Sequence, residues 1–589
     1  LKVLGLVRKS SILILVLGIL APSSQAATTP DEQFVGQPPS DVRSVPYFGF
    51  SANGLGPFTI NFNYLFGKVA EGTVWNESPI QEVGLCKKIS DLLCTRATYV
   101  SYFATLGFCK NLEALDCIES FTVTDSSGKL VPVMERSSFP GDRVGDFEGN
   151  PSLGLPGGSA APLLSIPGLP HSGGDKYLVV VTAEGNRMPG KEKFSPPNIE
   201  ASIYAVGIEA DYNEPPGFFT EKSRYPKLDA SINTYGNPDK AYCAIYGITG
   251  CAKKYPLPLN AQFKLKVKLS NPTTGWLHGR IIDVNAEVTS TKAAEQTIEV
   301  TGKPLTLPTV YSWVKKSAAP DSITKFYDSA PKPLGGSGYG CIDRPGDAMY
   351  ACNPDLYLSV FRAASPDSLS MQEFLSWLPH LSDRATTAPS IWRFETMKSD
   401  GSEQSCYDNS KTLSGFVATN ATQYLAGPPV FNKQEQTLDY KVAAPHYLPN
   451  GNEFLGTYDL QIRSEVARCL YGFTDAPISA SISVTSADGK EKVATTELVQ
   501  KDGWLNFSAK GFTFSNPTIR VKLTQKVETP QPQIQNNQDS TAVSAEQAAT
   551  VPKPASLKTK KSITCIKGIK TRKVVGTNPK CPAGYKKRG

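Results

Sequence analysis

The sequence predicts a mainly β, multi-domain protein built of β-sandwich (Ig-like) modules with a short helix and stapled by disulfides. Three observations carry that expectation. Short segments alternate apolar and polar residues, the period that puts every second side chain on one face of a strand. The 48 glycines and 46 prolines interrupt the chain between such segments, as turns between short strands require. The twelve cysteines, an even number behind an export signal, read as a disulfide framework.

That signal is at the start. Lys2, Arg8 and Lys9 form a short positive region, Ile12 to Leu20 an apolar stretch, and Ser24-Gln25-Ala26 a small-residue cleavage site. The apolar part is too short to cross a bilayer, and no later stretch approaches the roughly 20 apolar residues a spanning helix needs. Residues 1–26 are therefore read as a signal peptide and the remainder as exported and extracellular. No cysteine near the cut offers a lipid anchor, and no CxxC or Cys/His cluster offers a metal site.

Along the chain, 27–45 reads as a polar, Pro-rich linker and 46–305 as an N-terminal β-rich region of one or two domains. Cys86, Cys94, Cys109 and Cys117 repeat a Cys-x7-Cys spacing. On one helix, positions eight apart lie about 12 Å apart along the axis, too far for a bond. Either each pair closes a non-helical loop, or two short helices are cross-linked as 86–117 and 94–109. A local loop is favoured for Cys109–Cys117, because Ile118 to Val123 then reads as a strand. Residues 138–175 are rich in Gly, Pro and Ser, and Tyr177 to Val181 follows as a buried apolar run. Cys243 and Cys251 bracket a Gly-containing turn and are expected to pair across it. Phe263, Leu265, Val267 and Leu269 alternate with Lys264, Lys266 and Lys268, which predicts a core face and a solvated lysine face.

A middle segment, 306–388, contains Cys341 and Cys352 and a helix expected at about 368–379. Asp367 or Ser370 would cap it, Glu373 would complete a capping box, and Pro379 would end it. Residues 389–525 read as a C-terminal β-sandwich module, with Tyr458, Leu460 and Ile462, then Ile478, Ala480, Ile482 and Val484, at strand spacing. Cys406 and Cys469 would staple this module. Residues 526–561 are poor in large apolar side chains and read as a disordered linker. Residues 562–589 form a basic tail, with Cys565 and Cys581 closing a small loop.

The net charge of +7 conceals a division. From Lys553 onward there are twelve Lys or Arg and no Asp or Glu, so this end carries +12, whereas residues 27–552 carry −8. An acidic body with a basic tail points to a tail with its own partner. The candidate anion-binding residues are Lys560, Lys561, Lys567, Lys570, Arg572, Lys573, Lys586, Lys587 and Arg588.

The tail resembles that of a group of exported actinobacterial surface proteins, in which a Cys-x-Lys-Gly start and a Cys-Pro-x-Gly-Tyr-Lys-Lys finish follow a polar linker. The matching residues are Cys565, Lys567 and Gly568, then Cys581 to Lys587. Gly275-Trp276-Leu277-His278-Gly279-Arg280 and Ala467-Arg468-Cys469-Leu470-Tyr471-Gly472-Phe473 look like further signatures of that group. The resemblance implies a cell-surface setting. It supplies no catalytic residue, because the group has no established activity.

Catalytic and metal motifs are missing from the sequence. The four histidines, His171, His278, His380 and His446, are not in HExxH or another metal spacing, and there is no GxSxG elbow or P-loop. No cofactor is expected. Two constellations could take a ligand such as carbohydrate. Trp276, His278 and Arg280 would line one face of a strand, although Ile282, Val284, Ala286 and Val288 would continue that face as core. Tyr311 and Trp313 also share a face, as a buried pair or a sugar platform. The leading reading is a non-enzymatic envelope protein whose tail attaches to an anionic cell-wall polymer or envelope surface. Nucleic acid is not expected as a partner, since no aromatics interleave with the basic residues. The alternatives are a secreted hydrolase acting on glycans, which requires two facing carboxylates ~5–10 Å apart, and an envelope lattice subunit.

Overall fold

The computed structural model describes residues 45, 47–52, 63–70, 80–141, 145–210, 243–247, 250–292, 295–329, 357–361, 364–365, 368–397, 405–408, 413–425, 427–473, 478–485, 491–493, 495–514, 518–525, 561–567, 570–576, 581 and 585–587. The signal peptide, the 27–45 linker except its last residue, Cys341, Cys352 and most of the 526–561 linker lie outside these residues. The fold is mainly β, arranged in several sheets. Leu1–Lys526 forms one compact unit and Val527–Gly589 a second.

A sixteen-stranded sheet organises the first unit. Its main path runs Thr495–Lys501, Trp504–Thr513, Leu455–Arg463, Leu413–Thr419, Gly275–Arg280, Ser390–Met397, Asn198–Glu209, Lys176–Arg187, Tyr99–Thr105, Tyr64–Ala70 and Ile80–Leu85. Ser390–Met397 therefore sits between strands from the first half of the chain, pairing with both Gly275–Arg280 and Asn198–Glu209. The regions read from sequence as 46–305 and 389–525 share this sheet and are not independent sandwiches.

Two smaller sheets cover parts of the large one, and side-chain alternation serves both. A five-stranded sheet runs Ile282–Lys292, Glu295–Lys303, Gln262–Leu269, Cys117–Thr124, Leu130–Val131. Its Phe263, Leu265, Val267 and Leu269 form a core with Val179, Val181, Ala201, Ile203, Leu277, Trp392, Phe394 and Phe416. A seven-stranded sheet includes Gln423–Leu425, Thr437–Ala443, Thr518–Gln525 and Ile478–Thr485. It closes a second core with Trp276, Met397, Val417, Tyr458, Leu460 and Ile462. Thus Leu277 enters the first core and its neighbour Trp276 the second.

Lys264, Lys266 and Lys268 do form a solvated face. Lys264 pairs with Glu299 at 2.7 Å and Lys266 with Glu119 at 3.4 Å, and Lys268 Nζ donates to the Leu112 carbonyl at 2.6 Å. These contacts leave no stripe of uncompensated charge.

The predicted helix occupies Ser368–Trp377 and continues as a 3₁₀ turn over Leu378–Leu381. The α-helix stops short of Pro379, which cannot donate an intrahelical hydrogen bond; the chain leaves the 3₁₀ turn at Ser382 and Asp383, both at positive φ. Asp367, one of the two caps expected, lies outside the described residues, and Ser370 with Glu373 does not form a capping box. Ser370 lies within the helix, and Glu373 is buried and accepts a hydrogen bond from the Tyr327 hydroxyl. Phe374, Trp377 and Leu378 pack with Phe48, Phe50, Ile323 and Phe326 in a third core. The helices Asp321–Ser329 and Ser464–Tyr471 were not read from sequence, since eight or nine residues give only two turns of periodicity.

The cysteines pair locally as Cys86–Cys94, Cys109–Cys117 and Cys243–Cys251, and over a longer range as Cys406–Cys469. The crossed alternative for the first four is thereby excluded. Cys94 is on the short helix Leu92–Arg96, but Cys86 precedes it, so the axial separation that forbids a bond within one helix does not apply. Cys406–Cys469 joins the helical turn Ser405–Asp408 to Ser464–Tyr471.

Trp392 locks the first core. It is fully buried, and its indole N–H donates to the Gly302 carbonyl of the five-stranded sheet at 3.0 Å. Trp392→Ala should lower the unfolding free energy by about 3–5 kcal/mol, measured by guanidinium denaturation.

Candidate functional site

Trp276, His278 and Arg280 share a strand face as expected, but that face is closed: the three are 2%, 1% and 2% exposed. The predicted continuation through Ile282, Val284, Ala286 and Val288 also fails. Ile281 is buried in the first core, Asp283 takes positive φ, and the pairing of Ile282–Lys292 is irregular between Ile282 and Asn285. After this kink Ala286, with Val284 and Val288 beside it, packs in the first core, whereas Trp276 faces the second.

The three side chains form part of a buried polar band. Arg280 donates through Nη1 to the carbonyls of Thr419, at 3.0 Å, and Ala421, and through Nη2 to Thr422 at 3.3 Å. Its guanidinium carbon lies 4.7 Å from the Tyr424 ring centre, and His278 stacks on the same ring with centroids 3.7 Å apart. Burial, reinforced by Arg280 and Arg393, pushes the His278 imidazole well below its usual pKa, so it is neutral near pH 7. Strand register sets Arg280 beside Arg393 and His278 beside Glu395. Arg393 bonds Glu200 at 3.0 Å and Glu395 at 2.7 Å; burial opposes its charge, but the two carboxylates outweigh that and raise its pKa. Ser390 Oγ and Arg393 Nε are buried without a hydrogen-bond partner and, with Ser202, belong to residues lining a small pocket of about 30 Å³, room for one water. A sugar could not reach Trp276, His278 or Arg280; they belong to a polar seam in which only Glu200 and Glu395 are partly exposed, and are not the platform considered from sequence.

Tyr311 and Trp313 lie on Val310–Lys315, which pairs with Tyr47–Ala52. Val310 and Val314 point into the third core, whereas Tyr311 and Trp313 alternate onto the other face and are half-buried. Trp313 meets Tyr47 edge-on, with centroids 6.4 Å apart. The pair is thus a partly open aromatic strip.

Sequence reasoning missed an open groove of about 1170 Å³ lined by Phe108, Lys110, Glu113, Arg136, Asp146 and Glu148 among others. Its walls are built from local constraints. The Cys109–Cys117 bond closes one wall. Asp116, at positive φ, anchors that loop by accepting from the Ser270 amide at 2.8 Å and the Ser270 hydroxyl at 2.7 Å. The Arg136 guanidinium lies 4.9 Å from the Phe108 ring centre. Asp146 accepts from Asn63 Nδ2 at 3.1 Å, while Asn63 Oδ1 receives the Thr105 amide at 2.6 Å. A Cβ on Gly149 would sit 2.5 Å from the Gly157 amide, so the floor can be made only with glycine. The sequence signal was the Gly/Pro/Ser-rich stretch 138–175, which composition marks as loop but not as groove.

The second unit contains a three-stranded antiparallel sheet, with Lys561–Lys567 between Lys570–Gly576 and Lys586–Lys587. Seven of the candidate anion-binding residues, Lys561, Lys567, Lys570, Arg572, Lys573, Lys586 and Lys587, lie on its strands; Lys560 and Arg588 lie outside the described residues. Cys581 is disulfide-bonded.

Among the described residues, no group of three or more His, Cys, Asp or Glu could hold a metal ion, and no helix is long and apolar enough to cross a membrane. Compared with known proteins, the sequence matches no protein-family model and no curated protein.

The anchor under the groove is titratable. Burial raises the Asp116 carboxyl above its usual range, against the lowering effect of the Ser270 hydrogen bonds. A carboxyl whose folded pKa is raised contributes stability below its unfolded pKa and loses it as pH rises through the folded value. Asp116→Asn keeps an acceptor for the Ser270 amide and removes this dependence. Denaturation midpoints should therefore show the variant gaining on the wild type between acid and neutral pH. Asp116→Ala should cost about 1–3 kcal/mol by leaving a buried amide unsatisfied.

Proposed function

We propose that this chain is an exported, non-enzymatic protein of the cell envelope, displayed outside the cell and attached by its basic tail to an anionic wall polymer. The observation that carries this reading is the charge division: −8 over residues 27–552 against +12 from Lys553 onward. Each Lys or Arg near an anionic surface contributes about 1 kcal/mol, so a dozen suffice to hold a protein by charge alone, and salt weakens that hold. The disulfides are compatible with an oxidising compartment. The likeness of Cys565, Lys567, Gly568 and Cys581 to Lys587 to the tails of exported actinobacterial surface proteins supports the same setting.

A second reading, a secreted hydrolase acting on glycans, draws on the groove, where Glu113, Asp146 and Glu148 contribute carboxylates to one open space. If it holds, the full chain should release reducing ends from wall glycan, and Glu113→Gln or Glu148→Gln should reduce that release by at least about 100-fold. No release by the wild-type chain would dispose of it.

For attachment, the full chain and a chain ending at residue 552 should be compared in binding to washed walls. The full chain should bind at low salt and elute as salt rises; the shortened chain should remain in solution. Equal binding of both would refute tethering by the tail.

A further inference from the structure

The tail's basic residues are not distributed evenly about its sheet. In antiparallel pairing, residues directly opposite one another belong to the same face, and the face alternates along each strand. The register pairs Lys567 with Lys570, Cys565 with Arg572, Ile563 with Val574 and Lys561 with Gly576, and on the other side Cys565 with Lys587. One face is therefore assigned Lys561, Lys567, Lys570, Arg572 and Lys587. The opposite face is assigned Lys573 and Lys586, with Ser562, Thr564, Ile566, Thr571 and Val575 at its other positions.

The crowded face has a particular geometry. Arg572, Cys565 and Lys587 form one row across three strands, about 10 Å wide at the usual strand spacing. Lys567 and Lys570 form the next row, directly opposed, and like charges so placed destabilise a sheet. No Asp or Glu occurs anywhere from Lys553 onward to neutralise them. Four cations in two neighbouring rows suit a ligand that brings several anionic groups at once. Arg572 adds the planar fork that matches phosphate oxygens in a bidentate manner. Base stacking is poorly served, since Tyr585 is the sole aromatic residue in this end of the chain.

From this register we infer that the face bearing Lys567, Lys570, Arg572 and Lys587 is a binding site for a linear polymer of closely spaced phosphate groups. The inference rests on the reading of the tail as the attachment element and adds to it a defined face and a ligand class.

The test uses the full chain and labelled long-chain inorganic polyphosphate, with affinity followed by anisotropy at low and near-physiological salt. Two double variants remove the same charge from opposite faces. Arg572→Ala with Lys587→Ala should weaken binding about 30-fold, whereas Lys573→Ala with Lys586→Ala should weaken it no more than about threefold. Equal losses would overturn the inference while leaving attachment by net charge intact. No loss in either would defeat both. The charge-conserving exchange Arg572→Lys with Lys587→Arg should keep most of the wild-type affinity; a loss as large as that of the alanine pair would show that the effect does not follow the charge on this face and would overturn the inference. Polyphosphate should bind more tightly than poly-glutamate or oligo-dT of similar charge. Preference for either of those would overturn the ligand class.

Discussion

One constraint organises the body of this protein: Gly275–Arg280 and Leu413–Thr419, at the middle of the large sheet, are buried on both faces, so their side chains must suit one of two cores. Leu277, Phe394 and Phe416 meet the five-stranded sheet, and their neighbours Trp276, Met397 and Val417 meet the seven-stranded one. Sharing a sheet in this way couples segments distant in sequence. It is the reason Ser390–Met397 pairs with Asn198–Glu209 and Gly275–Arg280, and the reason a boundary drawn between the two halves of the chain has no counterpart in the sheet order.

Double burial also accounts for the polar seam. Where a strand has no solvent face, a polar residue on the second side must find partners inside. Arg393 does so through Glu200 and Glu395, and Arg280 through three backbone carbonyls and the Tyr424 ring. A buried cation held only by well-placed partners tolerates little rearrangement. The seam is therefore part of the packing between the sheets. Features open to solvent in the body lie elsewhere: the groove beside the Cys109–Cys117 loop and the aromatic strip of Tyr311 and Trp313.

Much of the local structure was legible. The alternation from Phe263 to Leu269 placed its apolar and lysine faces correctly, because period two is imposed by the strand itself. The helix near Ser368 was visible from Phe374 and Leu378, but its partners Phe50 and Ile323 come from remote segments. The groove was not legible, because Arg136, Glu113 and Asp146 are brought together by a disulfide loop, a strand and a glycine-lined turn that share no common periodicity. Trp276, His278 and Arg280 were correctly grouped on one face, yet whether that face met water depended on a sheet contributed by residues more than a hundred positions later.

By itself, then, the amino-acid sequence determined the β character, the local pairing of cysteines such as Cys243 with Cys251, and the separation of negative body from positive tail. These are properties of composition and of neighbours along the chain. Tertiary structure alone decided which strands share a sheet, which polar residues are enclosed, where a groove opens, and on which face of the tail each basic position falls. Those depend on contacts between distant segments, whose register is chosen by burial of the whole apolar surface at once.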